Sequence, residues 1–292
     1  MSWRLVARWV AADARRSRGL WTVVGVFAVV GAGAAALPAA VVGPSLTAEQ
    51  ALVFLPAPLR IVGSLVGLLA GYAVIAGPRS DGRLGLVLGL PVSRSALVVG
   101  AFAGRAAVVL AGVAAGLGAV VATVAAAYGT LPLGRLLAFG GLVGLLVVAM
   151  TALAVGLSAA TATPGRAGVA AVAAFVGFQF FWDAVPAGAH YLVAGSLPGP
   201  VVPAWVVLLE RLQPLAAFDV AATLVLPAAE TGIRLSAGGA AATGAAGPTA
   251  LADRLAGPVP VYLDPWASVV TLVAWTAVPL AAGWYRFRRA DL

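Results

Sequence analysis

One histidine, His190, and ten acids are most of what this sequence offers for building a general base or a hard metal site, and it has no cysteine for a soft one. A zinc protease motif such as H-E-x-x-H needs two histidines, and a serine nucleophile needs a histidine base beside it. His190 follows the fifth long apolar run and reads as an ordinary surface or interfacial residue, so neither site is expected. All 18 basic residues are arginine. A nucleotide-binding P-loop requires the lysine of G-x-x-x-x-G-K-[ST] to reach the phosphates, so this chain is read as hydrolysing no nucleotide and as no enzyme. An ion-coupled carrier usually holds ionisable groups at mid-membrane. Here Asp183, Arg60 and Arg105 fall near the ends of apolar runs, which disfavours a carrier; sodium held by backbone carbonyls stays open.

The charged residues with the most internal order are Arg79, Asp81, Arg83 and Arg94, which punctuate Leu84, Leu86, Val87, Leu88 and Leu90. That apolar run is too short to cross a bilayer. Its composition suits a helix lying on the membrane surface with charge available to a soluble partner. A plain turn whose arginines only mark topology is the competing reading.

The elements that must position this segment are membrane spans. A chain of 292 residues that is 62% hydrophobic and 10% charged, with mean hydropathy +1.03, has more apolar surface than one soluble core can hide, so lipid must be part of its solvent. The fold class is an all-α integral membrane domain over 1–292, with six spans at about 20–40, 59–77, 95–127, 136–158, 167–185 and 266–284. Residues 1–19 place Trp3, Val6, Ala7, Val10 and Ala14 on one stripe beside Arg4, Arg8 and Arg15, as an interfacial helix does. A cleaved signal sequence is the alternative, but the run from Leu20 to Ala40 is longer than a signal core. Residues 186–265 form an outer loop in which prolines break Ala204–Leu212 and Leu215–Leu226 into two short re-entrant or interfacial helices.

Small residues recur every four positions at Gly63, Gly67 and Gly71, and again at Gly100 and Gly104, Gly112 and Gly116, and Gly140 and Gly144. Such faces let helices approach closely in lipid. With both termini cytoplasmic, 13 arginines fall inside and five outside (Arg60, Arg135, Arg211, Arg234 and Arg254), while only Asp13, Asp81 and Asp291 of the acids fall inside. That asymmetry sets the expected orientation in the cell membrane. It also explains the net charge of +8 without nucleic acid, which would need a basic face on a soluble module.

Three stretches resemble a known family. Arg79-Ser80-Asp81-Gly82-Arg83-Leu84, Leu88-Gly89-Leu90-Pro91-Val92-Ser93-Arg94, and Gly100 with Gly104-Arg105 look like the first cytoplasmic loop of ABC-2 type transporter permeases. Gln213-Pro214-Leu215-Ala216-Ala217-Phe218 is similar to the family's outer Asn-Pro-x-x-Ala-Phe segment, and the tail from Tyr285 to Leu292 resembles its ending. The subgroup most resembled is the permease of the nitrous-oxide-reductase maturation system with its archaeal and actinobacterial relatives. The family's loop acids fall on Pro78 and Ser80, and its Gly-Lys lysine falls on Ala101.

The resemblance implies a permease subunit, an exporter's in preference, that forms the transport path. A separate ABC ATPase carrying ATP and magnesium would dock on residues 78–94, with Arg79, Asp81, Gly82, Arg83, Leu90, Pro91, Ser93 and Arg94 as the coupling positions. No cofactor belongs to this chain itself. A second permease subunit is implied, as a homodimer in preference to a heterodimer. A secondary carrier or a non-transporting membrane scaffold is the alternative function.

Overall fold

A computed structural model describes residues 3–16, 18–43, 46–83, 93–226, 251–255 and 257–290. The expected coupling residues Leu90 and Pro91 lie outside the described residues. Six helices among those described are long and apolar enough to cross a membrane: Trp21–Val41, Pro56–Ser80, Arg94–Tyr128, Leu133–Ala160, Pro164–Phe181 and Pro265–Arg288. The protein is thus an all-α membrane domain of six spans.

Helix α1 (Trp3–Arg16) leads to α2 (Arg18–Val42). The second span comprises α3 (Pro56–Gly71) and a short continuation, α4 (Ala76–Ser80). Helix α5 (Arg94–Tyr128) is the longest and α6 (Leu133–Ala160) the most buried span. The chain continues through α7 (Pro164–Val176), α8 (Ala184–Ala194), α9 (Ala204–Leu212) and α10 (Pro214–Ala222), and closes with α11 (Pro265–Arg288).

Helix α6 is apolar around its whole circumference, and a helix of that kind must be enclosed by others. It lies between α3 and α11. The glycine face of α3 meets it directly: a Cβ on Gly67 would lie 2.7 Å from both the Val147 carbonyl oxygen and the Met150 Cβ, and one on Gly71 would lie 2.9 Å from the Thr151 carbonyl oxygen. On its other side, a Cβ on Gly156 would overlap the Pro279 carbonyl of α11, and one on Gly283 would overlap Gly156 itself. Backbone therefore rests on backbone along both seams.

The amphipathic face of α1 does not simply lie on lipid. Val6 and Val10 are buried against α5, where a Cβ on Gly100 would sit 2.7 Å from the Trp3 carbonyl oxygen and one on Gly104 would sit 2.7 Å from that of Ala7. Helix α5 can carry this load because its 35 residues reach about 52 Å, well beyond a hydrocarbon core of about 30 Å. Further along, Phe27 of α2 packs on Gly116 of α5.

Two expectations need correction. The fifth span is not one smooth helix to residue 185: α7 gives way to a π-helical turn, Gly177–Phe181, before a bend and α8. The wider turn brings Phe178 edge-on to Trp275 of α11, with ring centroids 5.2 Å apart, and close to Trp182 at 5.7 Å. Aromatic packing across helices thus overrides the α-helical repeat. His190, expected as a surface or interfacial residue, is not exposed; it is buried on α8, stacked on Trp205 at 6.1 Å, with Nδ1 2.9 Å from the Ser196 carbonyl oxygen.

Val at Gly67 must push α3 off α6. Gly67→Val should destabilise the domain by about 1–3 kcal/mol or more, read as a lowered thermal midpoint in detergent. Gly118→Val, placed where nothing lies within 4 Å, should leave it unchanged.

Candidate functional site

The polar side chains cluster at the two ends of the bundle. At the arginine-rich end, Val6, Val10, Ile75, Leu97, Val98, Ala101, Val155, Ala159 and Phe287 form a separate apolar cluster that draws α1, α5, α6 and α11 together. The expected coupling positions that are described, Arg79, Asp81, Gly82, Arg83, Ser93 and Arg94, lie at this end. Arg79 closes α4, Asp81 caps it, and Gly82 turns the chain with φ +71° in the left-handed region open to glycine. Arg83 donates to Asp81 at 2.5 Å, and both side chains are more than half exposed. That hydrogen bond, with the arginine's charge, holds the Asp81 carboxyl below its usual range. An exposed pair of this kind holds little energy, so its charges remain available to another surface.

Beyond residues 84–92 the chain is anchored firmly. The Ser93 hydroxyl caps α5 by accepting the Ala96 N–H at 3.1 Å. Arg94 turns toward the last span, donating from Nη1 to the carbonyl oxygens of Phe287, Arg288 and Ala290, each at 2.9 Å. Its guanidinium also lies 5.7 Å from the Phe287 ring centroid. Before the loop, the second span breaks at residues 72–75 and restarts. The fully buried Ser158 of α6 accepts the N–H groups of Ile75 and Ala76 at 3.1 and 3.0 Å, satisfying donors that a helix start leaves open. The expected positions therefore divide: Asp81 and Arg83 face outward, while Ser93 and Arg94 are engaged with their own fold. Gly63, Gly67 and Gly71 face α6, and Gly100 and Gly104 face α1.

At the opposite end, α9 and α10 are docked into the spans. Seven of the nine residues of α10 are buried, and one of them is Asp219. It receives a 2.5 Å hydrogen bond from Arg60 on the first turns of α3, with both side chains more than nine-tenths buried. Phe218 beside it packs on Phe139 of α6 at 6.0 Å. Two indoles fix the end of α9: Trp182 donates to the Leu209 carbonyl at 3.0 Å, and Trp275 to that of Leu212 at 2.8 Å. The exposed pair Arg135–Glu49 and the half-buried pair Arg254–Glu210, both at 3.1 Å, tie the rim.

The sequence places Arg60 at the opening of the second apolar run and does not pair it with Asp219, 159 residues away. The only available signal was that Arg60 opens an apolar run in which a lone charge needs a partner. Nothing in the sequence marked Ser158.

This geometry defines a class: a multi-pass helical membrane domain whose buried polar groups join helices to one another and whose exposed charges lie at the two ends of the bundle. The family model described as ABC-2 family transporter protein matches residues 6–292, and the chain belongs to that family. It is accordingly a membrane component of transport. No curated protein matches the chain.

Removing one member of a buried ion pair strands the other. Arg60→Met or Asp219→Leu alone should cost about 3–5 kcal/mol of stability, whereas the double replacement should recover most of that loss, as followed by thermal unfolding of the purified protein.

Proposed function

We propose that this chain is the permease subunit of an ABC exporter and that a separate ABC ATPase docks on its arginine-rich end. The observation that carries this reading is the exposed Asp81–Arg83 pair. It is the outward-facing charge at the head of a loop whose flanking helices are built tightly into the bundle. A partner that moves this loop therefore moves helices rather than a slack tether. ATP and its magnesium ion belong to the partner, and the permease contributes the path through the bilayer.

By the positive-inside rule, the arginine-rich end is the cytoplasmic face of the cell membrane, and both termini lie there. Two permease subunits, in the simplest form two copies of this chain, complete the path. Within the family, the likeness of the loop to the permease of the nitrous-oxide-reductase maturation system is retained as part of this proposal. Residues 79–83 are the docking contact, with Leu90 and Pro91 on the same loop.

Two measurements test this reading. Tagged protein should bring down an ABC ATPase from its native membrane, and Arg83→Glu should abolish permease-dependent ATP hydrolysis without changing the protein's yield; recovery without any ATPase would sink the proposal. Because the chain lacks cysteine, single cysteines report topology cleanly. Leu197→Cys, at an exposed position, should react with a membrane-impermeant maleimide in intact cells, and Ser93→Cys only after permeabilisation; the reverse pattern would invert the orientation.

A further inference from the structure

The loop read as the docking site is held at both ends by side-chain bonds to two helices that are locked together. We infer that Arg94 is a positioning residue that fastens the end of this loop to the C-terminus of α11, so that movement of the loop is delivered to the α6–α11 pair. The inference rests on the permease reading above and goes beyond it by naming which helices receive the motion.

The chemistry at Arg94 is specific. The last turn of a helix leaves carbonyl oxygens without N–H partners, and the aligned peptide dipoles make that end negative. Here Nη1, whose two N–H groups are shared among three acceptors, lies 2.9 Å from the carbonyl oxygens of Phe287 and Arg288 in that turn and of Ala290 just past it, across 193 to 196 residues of sequence; the Phe287 oxygen also accepts the Ala290 N–H at 3.3 Å. The cation closes the end of α11, and Phe287 is fully buried beneath it. Charge-assisted bonds of this kind are about twice as strong as neutral ones. Arg288 and Arg289, although in the same turn, lie over the rings of Trp284 and Tyr285. Arg94 thus has the carbonyls to itself among these arginines.

The other end of the loop leads to the same place. Ser158, which accepts the N–H groups of Ile75 and Ala76, belongs to the last turn of α6. Two residues earlier, Gly156 meets Pro279 and Gly283 of α11 backbone to backbone. The chain entering the loop is tied to α6, the chain leaving it is tied to α11, and the two helices have no side chain between them at that contact. From Phe287, α11 runs about 18 Å to Trp275, midway along the helix, whose indole holds the end of α9. One continuous helix therefore joins the end of the loop to α9, with Pro279 removing one backbone hydrogen bond along the way.

The test uses the permease assembled with its ATPase and an environment-sensitive fluorophore on Val270→Cys, an exposed position near the outer end of α11 in a chain otherwise free of cysteine. ATP should change the fluorescence. The change should be lost in Arg94→Gln and kept in Arg94→Lys, because an ammonium also presents a cation with three donors to the same carbonyls. An undiminished change in Arg94→Gln overturns the inference, whereas a parent protein that binds no ATPase overturns the permease reading itself. Spin labels on Val99→Cys and Tyr285→Cys, with Arg94 intact, provide a measurement that does not depend on the Gln variant folding. Their separation should be the same with and without ATP, and a shift would show that α5 and α11 are not clamped.

Discussion

Everything in this fold depends on how closely α6 can be approached. In water, helices associate because burial removes apolar surface from solvent; in lipid that drive is absent, and van der Waals contact between backbones must replace it. Gly67 and Gly71 supply the contact on the α3 side, and Gly156 and Gly283 supply it on the α11 side. With α6 enclosed in this way, the flanking spans acquire fixed positions, and α5 can extend past the membrane to hold α1.

A tightly packed apolar bundle still has to dispose of polar groups, and here each of the principal ones is used as a joint. An unsatisfied backbone group or lone charge in hydrocarbon costs several kcal/mol at about the scale expected for a buried polar atom. Arg60 and Asp219 join α3 to α10; Ser158 joins α6 to the broken second span; Trp182 and Trp275 join the fifth and last spans to α9. Most of these joints sit near the ends of the spans, with Trp275 midway along α11. This arrangement leaves the interior of the bundle almost wholly apolar, while the two faces are specified by directional bonds.

The six-span architecture was legible because long apolar runs and their arginine flanks are one-dimensional signals. The glycine faces were legible as periodicity, although periodicity could not say that Gly100 and Gly104 receive α1 while Gly63 receives α6. What escaped was everything created by pairing across distance. Arg60 and Asp219 are separated by four spans of chain, and Arg94 meets the carbonyls of a helix that ends almost 200 positions later, a contact no local pattern encodes. His190 looked exposed because its sequence neighbours are loop-like, yet Trp205 covers it. The π-helical turn at Gly177–Phe181 accompanies the packing of Phe178 on Trp275, a long-range contact that an α-helical repeat cannot announce.

The surplus length of α5 has a consequence for where the protein settles in its bilayer. A span matched to the hydrocarbon is pinned at both ends, but one much longer than the core has no single preferred depth, and mismatch costs only fractions of a kcal/mol per Å. The extra turns carry α1, whose Trp3 and Trp9 are exposed with Arg4 and Arg8 beside them, a composition suited to headgroup level. Membrane thickness is therefore absorbed at the other end of α5, near Tyr128 and Gly129. With α1 held at headgroup level, a thicker bilayer would draw in the Tyr128 end and leave the arginine-rich end at its height.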